Sequence, residues 1–191
     1  MNDAELNRSG ITDASSQSES ERLGRLYPII LTQHNPLWAQ RFKEEKRALE
    51  ELFGSAALSI EHIGSTAVPG LIAKPTIDIL LQVSGNADIE SITARMSKAG
   101  YIVNRPPNDI IMFLKGYGAH GFEGQAYHIH VRAQGDWGEP YFRDYLIKHP
   151  QLAQEYGELK KRLKQLYEFD RDGYTAAKGE FVQRVTRLGR G

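Results

Sequence analysis

No cysteine occurs in the sequence, which excludes disulfides and thiolate metal sites and fits a reducing compartment. Net charge is lacking as well. The 24 Lys and Arg residues balance 24 Asp and Glu residues, leaving a formal charge of zero with histidine neutral. Such a chain exerts no global pull on nucleic acid or an anionic membrane, so any phosphate it binds must be met by a local group of cations. Long apolar runs are missing too, and none reaches the roughly 20 residues a membrane helix needs. The N-terminus has no basic stretch followed by an apolar one, the pattern of a secretory signal. Together these absences predict a cytoplasmic protein without a membrane partner and without a strong nucleic-acid signal. What is present is ordinary for a globular protein: 191 residues, 40% hydrophobic and 25% charged. That is enough for one domain with a core and a helical extension.

Residues 1–24 are polar, rich in Ser, Asp, Glu and Asn, and lack apolar periodicity, so a disordered tail is expected. Residues 27–32 form a short apolar and β-branched run that predicts a strand. Asn35-Pro36 is a helix-start signal, because Asn caps and Pro suits the first turn. The helix should reach about Phe53, with Leu37, Phe42, Ala48, Leu49 and Leu52 as apolar positions and Gly54 just past its end. Residues 58–63 read as a strand leading into Gly64-Ser65. Residues 76–83 are almost wholly apolar except Asp78 and Gln82, which predicts a buried central strand. A helix over 88–99 ends at Gly100. Strands at 110–115 and 125–132 are expected to flank a Gly-rich loop, 116–124. From Glu139 onward the pattern is helical, broken at Pro150, with Gly173 setting off the last helix. The expectation is therefore an α/β or α+β core over 25–135 and a helical segment over 136–191.

The stretch from Glu61 to Ile79 carries the most chemistry. A strand ends at Gly64, where glycine allows close backbone approach to a ligand. Ser65 and Thr66 follow with hydroxyls and backbone N–H groups at the start of a short helix, an arrangement that suits a phosphate. Lys74 adds a cation. A plain turn capped by Ser65 or Thr66 accounts for the same residues. Asp78 tips the reading, since a carboxylate in an apolar strand is costly unless paired, hydrogen-bonded or bound to metal. On the strand Tyr127-His128-Ile129-His130-Val131-Arg132, side chains two apart share a face, so His128 and His130 point together. Two imidazoles there can hold a metal, move protons or contact a nucleotide, and a solvated sheet face is the alternative. In the C-terminal third, Leu and aromatic residues at helical spacing read as packing. The run Lys160-Lys161-Arg162-Lys164 reads as a solvated face, and Lys178 as a lysine of the last helix.

Taken together, these stretches resemble the GrpB family. The resemblance is carried by the Glu61–Ile79 block, the His128-x-His130 strand, and the helical block running from Phe142-Arg143-Asp144-Tyr145-Leu146 through His149-Pro150 to Tyr156 and Leu159-Lys160. Trp38, Tyr174 and Lys178 also fit. It spans nearly everything beyond the tail, and a similar domain occurs fused to dephospho-CoA kinase. The family is in turn similar to the polymerase-beta-like nucleotidyltransferases, in which a Gly-Ser loop holds nucleotide phosphates and strand carboxylates hold divalent ions. The resemblance implies a nucleotidyltransferase-like mixed β-sheet flanked by helices, a nucleoside triphosphate ligand, and transfer of its nucleotidyl group to an acceptor. It implies phosphate contacts from Gly64, Ser65, Thr66 and Lys74, catalytic roles for Asp78, His128 and His130, and a divalent cation (Mg or Mn) at Asp78 and His130. Asp78 matches the second carboxylate of the signature strand, and Thr76 stands where the first belongs. His130 or His128 stands where a later strand supplies the third. That departure leaves a second expectation, a nucleotide-binding or protein-interaction module without catalysis. Glu61 and His62 lie beside the loop as residues able to compensate.

Overall fold

The computed structural model describes residues 19–106 and 110–191. Helix α1 is described over 19–26, followed by α2 (Leu37–Phe53), β1 (Ala57–Ile63), β2 (Thr76–Val83), α3 (Ile89–Lys98), β3 (Ile102–Asn104), β4 (Ile111–Gly118) and β5 (Gly121–Ala133). Four helices close the chain: α4 (Gly138–Lys148), α5 (Pro150–Tyr167), α6 (Arg171–Ala177) and α7 (Gly179–Arg190). The strands form one mixed sheet in the order β1-β2-β5-β4-β3. Only the β2–β5 pair is parallel, so the apolar β2 and the long β5 lie in the interior of the sheet. The fold is thus a mixed α/β sheet flanked by helices, followed by a C-terminal helical segment.

Strand alternation divides the sheet into two faces. Ile77, Ile79, Ile129, Val131, Ile111 and Phe113 enter a core with Trp38, Leu49 and Phe53 of α2 and Ile92 and Met96 of α3. Asp78, His128 and His130 alternate with these and occupy the opposite face. A second apolar cluster joins the C-terminal helices to the loop after β1: Val68 and Leu71 pack with Phe142, Leu146, Ala153, Tyr156 and Val185. A third sets Ile29 against Leu163 and Tyr174. Among the described residues, no helix is long and apolar enough to cross a membrane.

The structure departs from the sequence reading in several places. Residues 19–24, expected to be part of a disordered tail, belong to α1, where Gly24 is buried and packs on the Phe169 backbone. Residues 1–18 of that expected tail lie outside the described residues. The strand expected at 27–32 is absent: only Thr32 bridges, to Ala73, and Ile29 donates its N–H to Glu168 instead of a neighbouring strand. On α2, Leu37 is exposed, whereas Trp38, Glu45, Leu49 and Phe53 form the buried stripe. Asn35 does act at the helix start, accepting from the Leu37 N–H at 3.0 Å. Most of the expected Gly-rich loop at 116–124 is strand, because β4 and β5 continue into a hairpin. Gly173 lies inside α6, and the break before α7 falls at Lys178. The short strand β3 has no counterpart in the sequence reading. It pairs only at the sheet edge, and its residues are exposed.

Candidate functional site at the Gly64 loop

Gly64 ends β1 with φ 71° and ψ −171°, a region open essentially to glycine. A Cβ there would lie 2.5 Å from Asp78 Oδ2. Glycine therefore lets the loop close directly on the carboxylate. Ser65–Ala67 then makes a single 3₁₀ turn. The Thr66 side chain is buried. Its hydroxyl donates to the Thr76 carbonyl at 3.1 Å and lies 3.0 Å from His62 Nε2, so it ties the turn to β2 and does not face a ligand. His62 points to the core face, where its ring stacks on Phe42, and burial holds it down to about 4. Glu61 is engaged by Arg143, whose guanidinium reaches the Glu61 carboxylate at 3.2 Å and the His62 carbonyl at 2.8 Å. Glu61 is thus committed to Arg143, and His62 to the core face.

The parallel register sets Asp78 opposite His128 and Leu80 opposite His130. The donor atoms of Asp78, His128 and His130 all lie within 4.8 Å of one another. Asp78 Oδ1 is 3.1 Å from His128 Nδ1, and the other ring nitrogen of His128 is 2.6 Å from the Tyr117 hydroxyl. Burial alone would raise Asp78, but the hydrogen bond from His128 and the nearby Lys74 outweigh it and hold the carboxyl at about 2. Burial pushes His128 down despite its hydrogen bond to Asp78. An ionised Asp78 accepts only, so His128 carries its proton on Nδ1, and the Tyr117 hydroxyl donates to Nε2. Both nitrogens of His128 are thus in use. A divalent cation would meet the Asp78 carboxylate and His130, a mixed oxygen and nitrogen set that suits Mn²⁺ better than Mg²⁺.

Beyond the carboxylate lies a group of lysines from three elements. Lys160 of α5 is 2% exposed, and its ammonium donates to Ser65 Oγ at 3.0 Å and to the Ile72 carbonyl. Lys74 and Lys178 both lie over the Tyr174 ring, at 5.8 and 4.3 Å from its centroid. Among the described residues, no carboxylate pairs directly with any of these three lysines. Burial, then the neighbouring lysines, hold Lys160 down to about 7, and Lys178 is likewise depressed to about 8. Lys74 is lowered, chiefly by burial. Arg171 of α6 completes the cationic wall, lying over Tyr117 at 6.0 Å and donating to the Tyr27 carbonyl. The Tyr174 hydroxyl is buried with no hydrogen-bond partner.

Comparison with known proteins identifies the chain. The family described as GrpB protein matches residues 28–188. A UPF0157 protein of Pseudomonas aeruginosa is 41% identical over 160 residues, covering 82% of this chain. The chain belongs to the GrpB family. It spans 64% of the length of that Pseudomonas relative. The crystal structure of the conserved protein GrpB from Enterococcus faecalis superposes with a TM-score of 0.74 at 30% identity, covering 84% of this chain and 96% of that one. A dephospho-CoA kinase of Mycolicibacterium paratuberculosis is 27% identical over 79% of this chain and 43% of its own length, which accords with the GrpB-like domain expected in such proteins.

In this GrpB chain, the fold brings together Gly64, Ser65, Lys74, Asp78, His128 and His130, and turns only the Thr66 hydroxyl away. Lys160 was read as part of a solvated basic face and is in fact buried against the Ser65 hydroxyl. A signal for this exists in the sequence: Ala153, Tyr156, Lys160 and Leu163 follow the 3,4,3 spacing of one helical stripe, so Lys160 sits where an apolar residue belongs. Lys178, read as a lysine of the last helix, also reaches the site. Tyr117 and Arg171 have no comparable signal, because a hairpin and an inter-helix packing place them.

Proposed function

We propose that this chain binds a nucleoside triphosphate and transfers its nucleotidyl group to an acceptor hydroxyl. One observation carries the reading: Lys74, Lys160 and Lys178 converge on the Gly64-Ser65 loop with no carboxylate paired to them. Buried ammonium groups without counter-charge are costly, and a polyanion offsets that cost. Gly64 and Ser65 with the three lysines meet the phosphates, and Arg171 adds charge at the rim. Asp78 and His130 would hold a divalent cation, which when bound supplies charge neutralisation at the reacting phosphate. His128, oriented by Asp78, would take the proton of an attacking hydroxyl standing at Nε2, where the Tyr117 hydroxyl lies.

The test is calorimetric titration of the four ribonucleoside triphosphates with Mg²⁺ or Mn²⁺, alongside pyrophosphate-release assays. Binding should weaken by about tenfold or more in Ser65→Ala and Lys160→Met, the loss of one charge-assisted contact. Asp78→Asn should abolish pyrophosphate release. Failure of the wild-type protein to bind any of the four would overturn the proposal. A second reading, a nucleotide-binding module without transfer, is favoured by Thr76, which supplies no carboxylate where the superfamily signature has one. Tight binding with no pyrophosphate release over any acceptor would select it.

A further inference from the structure

Tyr117 has no part in the phosphate and cation contacts proposed above, yet the fold works against strand geometry to bring it to the site. Leu114 is registered with His128, and Lys115 with Tyr127. Continued alternation would send Tyr117 to the Lys115 side, the face packed by α2. There Lys115 pairs with Glu45 at 2.7 Å. The register instead slips between Lys115 and Tyr117, around Gly116 at φ 83°. A Cβ at Gly116 would fall 2.3 Å from the Gln125 carbonyl oxygen, so the bulge requires glycine. Bulges of this kind re-aim side chains beside active sites. This one carries Tyr117 to the opposite face, where its ring stacks on His128 at 5.7 Å and its hydroxyl donates to Nε2 at 2.6 Å.

The result is a hydroxyl, an imidazole and a carboxylate in one hydrogen-bonded line, Tyr117–His128–Asp78. That is the geometry of a base-activated nucleophile, with the carboxylate fixing the tautomer of the base. Arg171 over the Tyr117 ring joins this line to the lysines. We infer that Tyr117 is itself a nucleotidyl acceptor, modified by the nucleotide bound at the adjoining Gly64 loop. The inference rests on the nucleotide-binding reading given above. In the step, Tyr117 Oη attacks the α-phosphorus and the Oη–Pα bond forms. The bond from Pα to the bridging oxygen breaks, and pyrophosphate leaves toward Lys74, Lys160 and Lys178. The hydroxyl proton passes to His128 Nε2, and the imidazolium is held against the ionised Asp78. The product is a tyrosyl phosphodiester.

The experiment is intact-mass and peptide-mapping mass spectrometry of the purified full chain after incubation with each ribonucleoside triphosphate and Mn²⁺, with nucleotide binding measured in parallel by calorimetry. The expected result is a mass gain of one nucleoside monophosphate less water, mapped to Tyr117 in the wild-type protein. His128→Gln should lose the adduct, and so should Tyr117→Phe, which retains the stacked ring. Bound nucleotide with no adduct, or an adduct on another residue, overturns the inference and leaves the nucleotide-binding reading standing. No bound nucleotide overturns both.

Discussion

At the scale of single residues, the site depends on what is missing from side chains as much as on what they supply. Gly64 has no Cβ, and that absence lets the β1–β2 loop close on Asp78. Gly64→Ala would combine a left-handed backbone with an atom 2.5 Å from a carboxylate oxygen. The variant should lose about 1–3 kcal/mol of stability, the cost of a non-glycine residue in such a region. Nucleotide binding should fall at the same time, because relief of the clash moves Ser65 away from Lys160. Urea unfolding and calorimetry of the same preparation check both, and an unchanged unfolding midpoint would show that the loop relaxes freely. Gly64, Ser65 and Asp78 could be singled out from the sequence because the features that mark them are local. A glycine at a strand end and a carboxylate inside an apolar strand are anomalies visible without any neighbour.

At the scale of elements, α2 shows that the two faces of the sheet have separate duties. Glu45 lies on the buried stripe of α2 and is 4% exposed. It accepts from the Tyr101 hydroxyl at 2.5 Å and pairs with Lys115 at 2.7 Å. Glu45→Ala leaves the Tyr101 hydroxyl without its acceptor, and should destabilise by about 1–3 kcal/mol. Nucleotide binding at the remaining fold should be unaffected, because this network lies on the face opposite Asp78. Equal loss of binding and stability after correction for unfolded protein would contradict that division. Phe42, Leu49 and Leu52 pack on the core as read, but the start of the stripe was read one residue early, with Leu37 taken as apolar contact where Trp38 is buried. Both positions are apolar, and only the packing against β1 and β2 selects between them. The hairpin β4–β5 was read as two strands and a loop because glycines interrupt it, yet its backbone bonds continue on either side of the bulge at Gly116.

At the scale of the whole molecule, the site is shared between the sheet and the C-terminal helices. Its charge balance sets a pH dependence. Lys160 is held down to about 7 and Lys178 to about 8, against an ordinary 10.5. Between these folded values and 10.5 the unfolded chain binds more protons, so the unliganded protein should gain stability as pH rises through that window. A bound polyanion favours the charged lysines, so binding at about pH 8 should draw protons from solution, and at about pH 6 it should draw few from these groups. Calorimetry in buffers of different ionisation enthalpy measures this uptake directly. Uptake that does not differ between the two pH values would contradict depressed lysines at the site. Asp78 acts with the opposite sign: held at about 2 against 3.8, it contributes stability above the ordinary value that is lost as pH falls through the folded one.

An α/β core, the helical segment, the Gly64-Ser65 turn, and the shared face of His128 and His130 were legible in the sequence, because hydrophobic period and turn chemistry are properties of neighbours along the chain. So was the absence of thiol chemistry and of global charge. Packing between distant segments brings Lys160 and Lys178 to Lys74, turns the Thr66 hydroxyl inward, and carries Tyr117 to the face of His128. These depend on the packing of α5 to α7 against the β1–β2 loop and on one bulge. A lysine's charge is written in the sequence, but whether that charge is solvated or buried beside another is decided only when distant segments come into contact.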